Sequence, residues 1–242
     1  MKQIDIVCHK GANAVAPENT YAAAQRCIEW GMDYVEIDVR TSQDGVLYLL
    51  HDPTLERTTN GTGYLHERSS TYLDQLDAGS WFHPNFADQR LPRLEPFLHW
   101  IKGKAKIFFD VKAADARQLT DLVYATDFAH DCFFWSGSNV WAKELRALAP
   151  ELALKINVRT VEDLRRAYEE FHPEIVEVGL EHMNDPLLAA CRAHDIKVMI
   201  YHQRAEPDAF RQILSWGADM VNLNHGDLFA QVLREYNEQR SI

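Results

Sequence analysis

The sequence predicts an α/β fold with a parallel sheet, and its count of strand-like runs suggests a closed (β/α)8 barrel. Eight β-rich runs, at 4–9, 33–39, 105–111, 131–136, 152–157, 174–179, 196–201 and 219–224, are separated mostly by helix-like patterns. A ninth run at 46–51 follows Asp44-Gly45, a turn pair that makes it an extra strand antiparallel to 33–39. The 242 residues are 46% hydrophobic, which suits one barrel domain over 1–242. An open doubly wound sheet would give a similar list of strands.

The first element, Ile4-Asp-Ile-Val-Cys-His9, reads as a short buried strand that stops at a histidine. Lys10-Gly11 and Pro17-Glu-Asn-Thr20 lead into an alanine-rich helix over 19–30, with Glu18, Asn19 and Thr20 holding the loop and opening that helix. In the hairpin, a two-residue loop at Asp44-Gly45 pairs positions whose numbers sum to 89, which sets Asp38 opposite His51. Glu36 shares Asp38's face roughly 7 Å away, and cross-strand partners lie roughly 5 Å apart. Two carboxylates this close repel unless a cation or proton lies between them. The hairpin therefore predicts a hard divalent metal with His51 beside it for proton transfer. The plainer reading is an amphipathic hairpin with Val35, Ile37 and Val39 inward and the charges in water.

In Phe108-Phe109-Asp110-Val111-Lys112, strand alternation puts Asp110 and Lys112 on one face, an anion and a cation together. Residues 52–95 lack barrel-like alternation and read as an insertion. Within it Asn60-Gly61 marks a turn, and Trp81 either leans over the site or, more simply, packs under the insertion. Residues 231–242 read as a terminal helix.

A net charge of −11 argues against a nucleic-acid surface and against stable attraction to anionic membranes. Four cysteines (Cys8, Cys27, Cys132, Cys191) show no Cys-x-x-Cys spacing, and no apolar run suits a signal peptide or a span. The expectation is a cytoplasmic protein with reduced thiols.

The motifs form an ordered series: His9-Lys10-Gly11, Pro17-Glu18-Asn19-Thr20, Glu36-Ile37-Asp38, Thr41-Ser-Gln-Asp44-Gly45, His51-Asp52 and Leu55-Glu-Arg57-Thr58-Thr59-Asn-Gly61-Thr-Gly63. With them the chain resembles the glycerophosphodiester phosphodiesterase family, of the phospholipase-C-like phosphodiesterase superfamily, most strongly over residues 8–112. The resemblance implies a TIM barrel with a small insertion after the hairpin. It implies metal-dependent hydrolysis of a small anionic glycerophosphodiester to an alcohol and a phosphomonoester. His9 and His51 would act as acid and base, and Glu36, Asp38 and Asp110 would hold one divalent cation, Mg2+ or Ca2+. Lys10 and Lys112 would meet the phosphate, and Trp81, Tyr201 and His202 are candidates for the substrate pocket. In the family the attacking group is a glycerol hydroxyl, giving a cyclic phosphate that water opens.

The chain departs from the family's pattern at several places. Lys10 stands for an arginine, giving up a planar fork for a point charge. Asp110 stands for a glutamate, withdrawing the carboxylate by about 1.5 Å. Ile200-Tyr201-His202-Gln203 replaces a Trp-Thr-Val-Asn pattern, and position 224 is Asn224 where aspartate is common. These rim positions leave room for a lysophospholipid or sugar phosphodiester as substrate, or for a ligand-binding relative without turnover.

Overall fold

The computed structural model describes residues 3–239. Nine strands are joined in one sheet: β1 (Asp5–Cys8), β2 (Tyr34–Thr41), β3 (Leu47–Leu49), β4 (Lys106–Ala113), β5 (Cys132–Ser136), β6 (Ala153–Asn157), β7 (Ile175–Gly179), β8 (Lys197–Tyr201) and β9 (Met220–Leu223). The order β1-β9-β8-β7-β6-β5-β4-β2, closed by a parallel β1–β2 pairing, makes an eight-stranded parallel ring. The fold is therefore a closed TIM barrel, not an open sheet, and β3 bonds to β2 outside the ring. Each predicted run lies within two residues of an observed strand.

Helices α1 (Tyr21–Glu29), α2 (Ser70–Leu73), α3 (Leu94–Ile101), α4 (Ala116–Ala125), α5 (Asn139–Leu148), α6 (Val161–Phe171), α7 (Asp185–Ala193), α8 (Pro207–Trp216) and α9 (Gly226–Gln239) follow the strands. All but α2 contribute apolar residues to one shell around the barrel, against Ile6, Val35, Ile37, Ile107 and Phe109 of the strands. Period-2 alternation sends their neighbours inward. Val7, Tyr34, Phe108, Phe133, Ile175, Met199 and Met220 form a separate inner plug, with Phe108 stacked on Phe133 at 4.4 Å.

Two residues further along five of these strands the inward positions turn polar. Val7 gives way to His9, Tyr34 to Glu36, Phe108 to Asp110, Ile175 to Glu177, and Met220 to Asn222. The carboxyl ends of the strands thus gather the charges above an apolar floor, where barrels of this kind carry their chemistry.

The hairpin corrects one expectation. Val39 pairs with Leu49, Arg40 with Tyr48 and Thr41 with Leu47, so the paired numbers sum to 88. The loop has three residues, 43–45, closed by Ser42 N–H donating to Val46 O. Gly45 takes φ +84°, the left-handed residue such a loop demands. Asp38 therefore faces Leu50, whose N–H donates to its carbonyl at 3.0 Å, and His51 lies beyond the ladder.

β3 and the residues that follow it build a small second core from Tyr48, Leu50, Leu55, Leu65, Leu73 and Leu76. Two clamps tie it to the barrel. Arg93 grips Asp74 with Nε and Nη2 at 2.9 and 2.6 Å, and Asp44 accepts the Ser70 N–H at 2.9 Å. Among the described residues no helix is long and apolar enough to cross a membrane, and all four cysteines are free and buried.

Candidate active site

The charged ends of the strands line a cavity of about 670 Å³ at the barrel mouth, with His9, Glu36, His51, Asp110, Lys112 and Tyr201 in its wall. Glu36, Asp38 and Asp110 offer ligand atoms that all lie within 4.8 Å of one another. β2 and β4 pair in register with Asp38 beside Asp110, so the cluster follows from the sheet itself. Asp110 reaches it despite its short side chain.

Each carboxylate is held from one side. Asn19, in the left-handed region at φ +57°, donates from Nδ2 to Asp38 Oδ2 at 2.6 Å and accepts the Asp38 N–H at 2.9 Å. Lys112 Nζ donates to Asp110 Oδ2 at 2.6 Å and lies 3.3 Å from Asp38 Oδ1. Asn222 Nδ2 bridges Glu36 and Glu177, donating to both at 3.0 Å. Asp38 Oδ1 and Asp110 Oδ1 remain buried with no hydrogen bond from the described residues.

Burial, then Asp38, Asp110 and Glu177, push the Glu36 carboxyl well above its usual range. Burial and Asp38 push Asp110 up to about 6. Buried acids that repel one another and keep two oxygens without a hydrogen bond fit a hard divalent cation.

Both histidines lie in the wall of the same cavity. His9 Nδ1 pairs with Asn224 Oδ1 at 2.9 Å, an oxygen that also accepts from Asn13 Nδ2 at 2.9 Å. That partner puts the proton on Nδ1 and leaves the Nε2 lone pair facing Glu36 Oε1, 3.8 Å away. Burial lowers the His9 pKa despite the Asn224 bond. His51 is brought in by a route the strand pattern did not foresee. Arg40 donates from Nε and Nη2 to the His51 carbonyl at 2.9 and 2.7 Å, and Asp52 Oδ1 lies 2.7 Å from His51 Nδ1.

Other predicted positions fall elsewhere. Trp81 is outside the cavity wall, its indole donating to Ala78 O at 2.9 Å. His202 is buried beside Phe210 with Glu206 at 3.3 Å, also outside the wall. Tyr201 does line the cavity, edge-on to His9 at 6.0 Å. Lys10 is turned to Glu18 at 3.5 Å rather than into the cavity wall. Lys155, missed in the sequence, is buried on the cavity side of β6. Its Nζ bonds Glu177 Oε2 at 2.5 Å and Asn157 Oδ1 at 2.8 Å, 4.7 Å from the Trp135 ring centroid. The inward alternation of Ala153, Lys155 and Asn157 was the available signal.

The sequence pattern of the glycerophosphoryl diester phosphodiesterase family matches residues 9–228. The chain belongs to this family. It is 36% identical to a glycerophosphodiester phosphodiesterase from Agrobacterium tumefaciens whose crystal structure superposes with a TM-score of 0.91, covering 95% of this chain and 100% of that one. It is 26% identical to the glycerophosphodiester phosphodiesterase of Bacillus subtilis over 95% of this chain and 86% of the relative. An Oleispira antarctica phosphodiesterase, solved with the product sn-glycerol-3-phosphate, shares the fold at 23% identity and a TM-score of 0.87, over 95% of this chain and 96% of that one. The chain is a phosphoric diester hydrolase of a family whose members depend on a divalent metal. The clustered carboxylates are its candidate metal site.

Proposed function

We propose that this chain hydrolyses a water-soluble glycerophosphodiester to an alcohol and a phosphomonoester, sn-glycerol 3-phosphate when the retained half is glycerol. The observation that carries this reading is a cluster of three buried carboxylates, with ligand atoms within 4.8 Å of one another, in a cavity whose wall also holds His9 and His51. Glu36, Asp38 and Asp110 would hold one Mg2+ or Ca2+. A cation held there would supply positive charge that lowers the cost of negative charge developing on the phosphate.

The environments of the histidines separate their roles. His9, backed by the neutral Asn224 and lowered by burial, stays unprotonated near neutrality and serves as the base. It takes the proton from the substrate hydroxyl next to the diester, and that oxygen forms the new bond to phosphorus. His51, whose Nδ1 is paired with Asp52, serves as the acid. It protonates the alcohol oxygen as the old phosphorus–oxygen bond breaks. When water opens the cyclic phosphate, His51 takes the water proton and His9 returns its own to the ring oxygen. Lys112, held by Asp110 and Asp38, adds fixed positive charge next to the phosphate position. Lys10 contributes at longer range, behind its pairing with Glu18.

The test is alcohol release from a panel of glycerophosphodiesters, lysophospholipids and sugar phosphodiesters in Mg2+, Ca2+ or chelator. Turnover on glycerophosphodiesters that chelation abolishes is expected. Turnover confined to lysophospholipids or sugar diesters would reassign the substrate, and no metal-dependent turnover at all would favour a binding relative.

A further inference from the structure

His51 sits past the end of β3, so no strand pairing fixes its ring. Arg40 secures the His51 carbonyl, and among the described residues the imidazole is hydrogen-bonded through Asp52. Behind Asp52 lies a chain of contacts that crosses the barrel mouth. Arg57 Nε donates to Asp52 Oδ2 at 2.5 Å and Nη2 to Oδ1 at 3.2 Å. Its Nη1 and Nη2 donate to Glu18 Oε2 and Oε1 at 2.9 and 2.8 Å. Glu18 in turn lies 3.5 Å from Lys10 Nζ. One guanidinium therefore makes two forked pairs, one to the acid behind His51 and one to the loop that follows His9.

The backbone presenting this guanidinium is rigid. Leu55 is fully buried in the second core, Thr59 N–H donates to Leu55 O at 3.0 Å, and Leu55 N–H donates to Gly63 O at 3.1 Å. On the far side, Asn19 N–H donates to Lys10 O at 3.0 Å. Gly11, at φ +78°, lets the loop approach α1 so closely that a Cβ there would lie 2.7 Å from Ala23 Cβ. Both anchors are stiff, and the Arg57 side chain that joins them is 43% exposed. Ion pairs this open contribute little to stability. They do restrict rotation, and a planar fork restricts it more than an ammonium.

We propose that Arg57 is a positioning residue for the diester reaction: it holds Asp52 behind His51 so that the imidazole presents Nε2 to the leaving-group oxygen. This rests on the reading of His51 as the proton donor. Glu18 is the tether that fixes the guanidinium. Burial pushes the Glu18 carboxyl up, but the Arg57 hydrogen bonds and the Lys10 charge outweigh this and keep it below its ordinary range.

The experiment compares two glycerophosphodiesters with different leaving groups, an alkyl alcohol that must be protonated and p-nitrophenol that leaves as its anion. Opening of the cyclic phosphate also uses His51, so the rate read is alcohol release in the first turnover: Arg57→Ala is expected to lower it on the alkyl diester about 10- to 100-fold at saturating substrate, with little change in the half-saturating concentration, and to lose far less on the p-nitrophenyl diester. Added guanidinium should restore part of the alkyl rate, since the site is open to solvent. Arg57→Lys, which keeps the charge without the fork, should show the same dependence on leaving group and covers the case of an Ala variant that does not fold. His51→Ala is run in parallel. If it keeps its alkyl-diester turnover, the reading of His51 fails. If it loses that turnover while the folded Arg57 variants keep the first-turnover rate, or lose it equally on both esters, the positioning role is overturned.

Discussion

Asn19 holds Asp38 at two points, its Nδ2 on the carboxylate at 2.6 Å and its Oδ1 on the backbone N–H at 2.9 Å. An amide that binds both ends of one acid fixes its rotamer and leaves Oδ1 turned toward Glu36 and Asp110. Asn19→Ala should therefore weaken divalent-ion binding about 10- to 100-fold with the fold retained. Calorimetric titration with Mn2+ checks this, and unchanged affinity would reduce Asn19 to a loop residue.

Asp110 stands where the family's pattern has glutamate, yet its carboxylate reaches the cluster. Asp110→Ala should raise the metal concentration needed for activity, whereas Asp110→Glu should leave a working enzyme with an altered preference between Mg2+ and Ca2+. Activity titrated with each ion decides it. An unaltered requirement in Asp110→Ala would leave Glu36 and Asp38 as the protein ligands.

Acid strength in the cluster links metal binding to pH. Glu36 is raised by burial and its neighbouring acids, and Asp110 is raised to about 6. A carboxyl raised in the folded state favours folding while protonated. That contribution is complete below the unfolded value of about 4 and is lost as pH rises through about 6. Metal-free protein should thus lose stability over this window, and a divalent ion should restore it. Calorimetric melts with and without Mg2+ should show a larger metal-induced rise in Tm near pH 7 than near pH 5. An equal rise at both would contradict the assignment.

Replacing His9 or His51 by Ala should lower turnover by at least about 100-fold, and the double variant should be little worse than the worse single. Asn224→Asp places a carboxylate behind His9 and opposes the lowering by burial. Activity requires unprotonated His9, so at saturating metal the acid limb of kcat/KM should move to higher pH in this variant. A limb that stays in place would separate His9 from the base role.

Much of this was legible because strands encode direction. Period 2 placed Glu36 with Asp38 and Asp110 with Lys112, and strand ends placed them at the mouth. The hairpin register was not legible, since Asp44-Gly45 suits both a two-residue loop and the three-residue loop with Gly45 left-handed. One residue of slip moves His51 off the ladder. The site survives because Arg40 and Asp52, not strand pairing, bring His51 in. Lys155 and Glu177 were missed because a buried pair sums to zero charge and looks like ordinary surface polarity in sequence. Trp81 and His202 lie outside the cavity wall, since aromatic character at a rim does not say which side of the rim it faces.

The most direct measurement is Mn2+ bound per chain, followed by equilibrium dialysis, against glycerophosphodiester hydrolysis in the same samples. The expected result is one ion per chain with activity rising in step with occupancy, and loss of both in Glu36→Gln and Asp38→Asn. Full hydrolysis in chelated, metal-free protein, or an ion retained in both variants, would contradict the account.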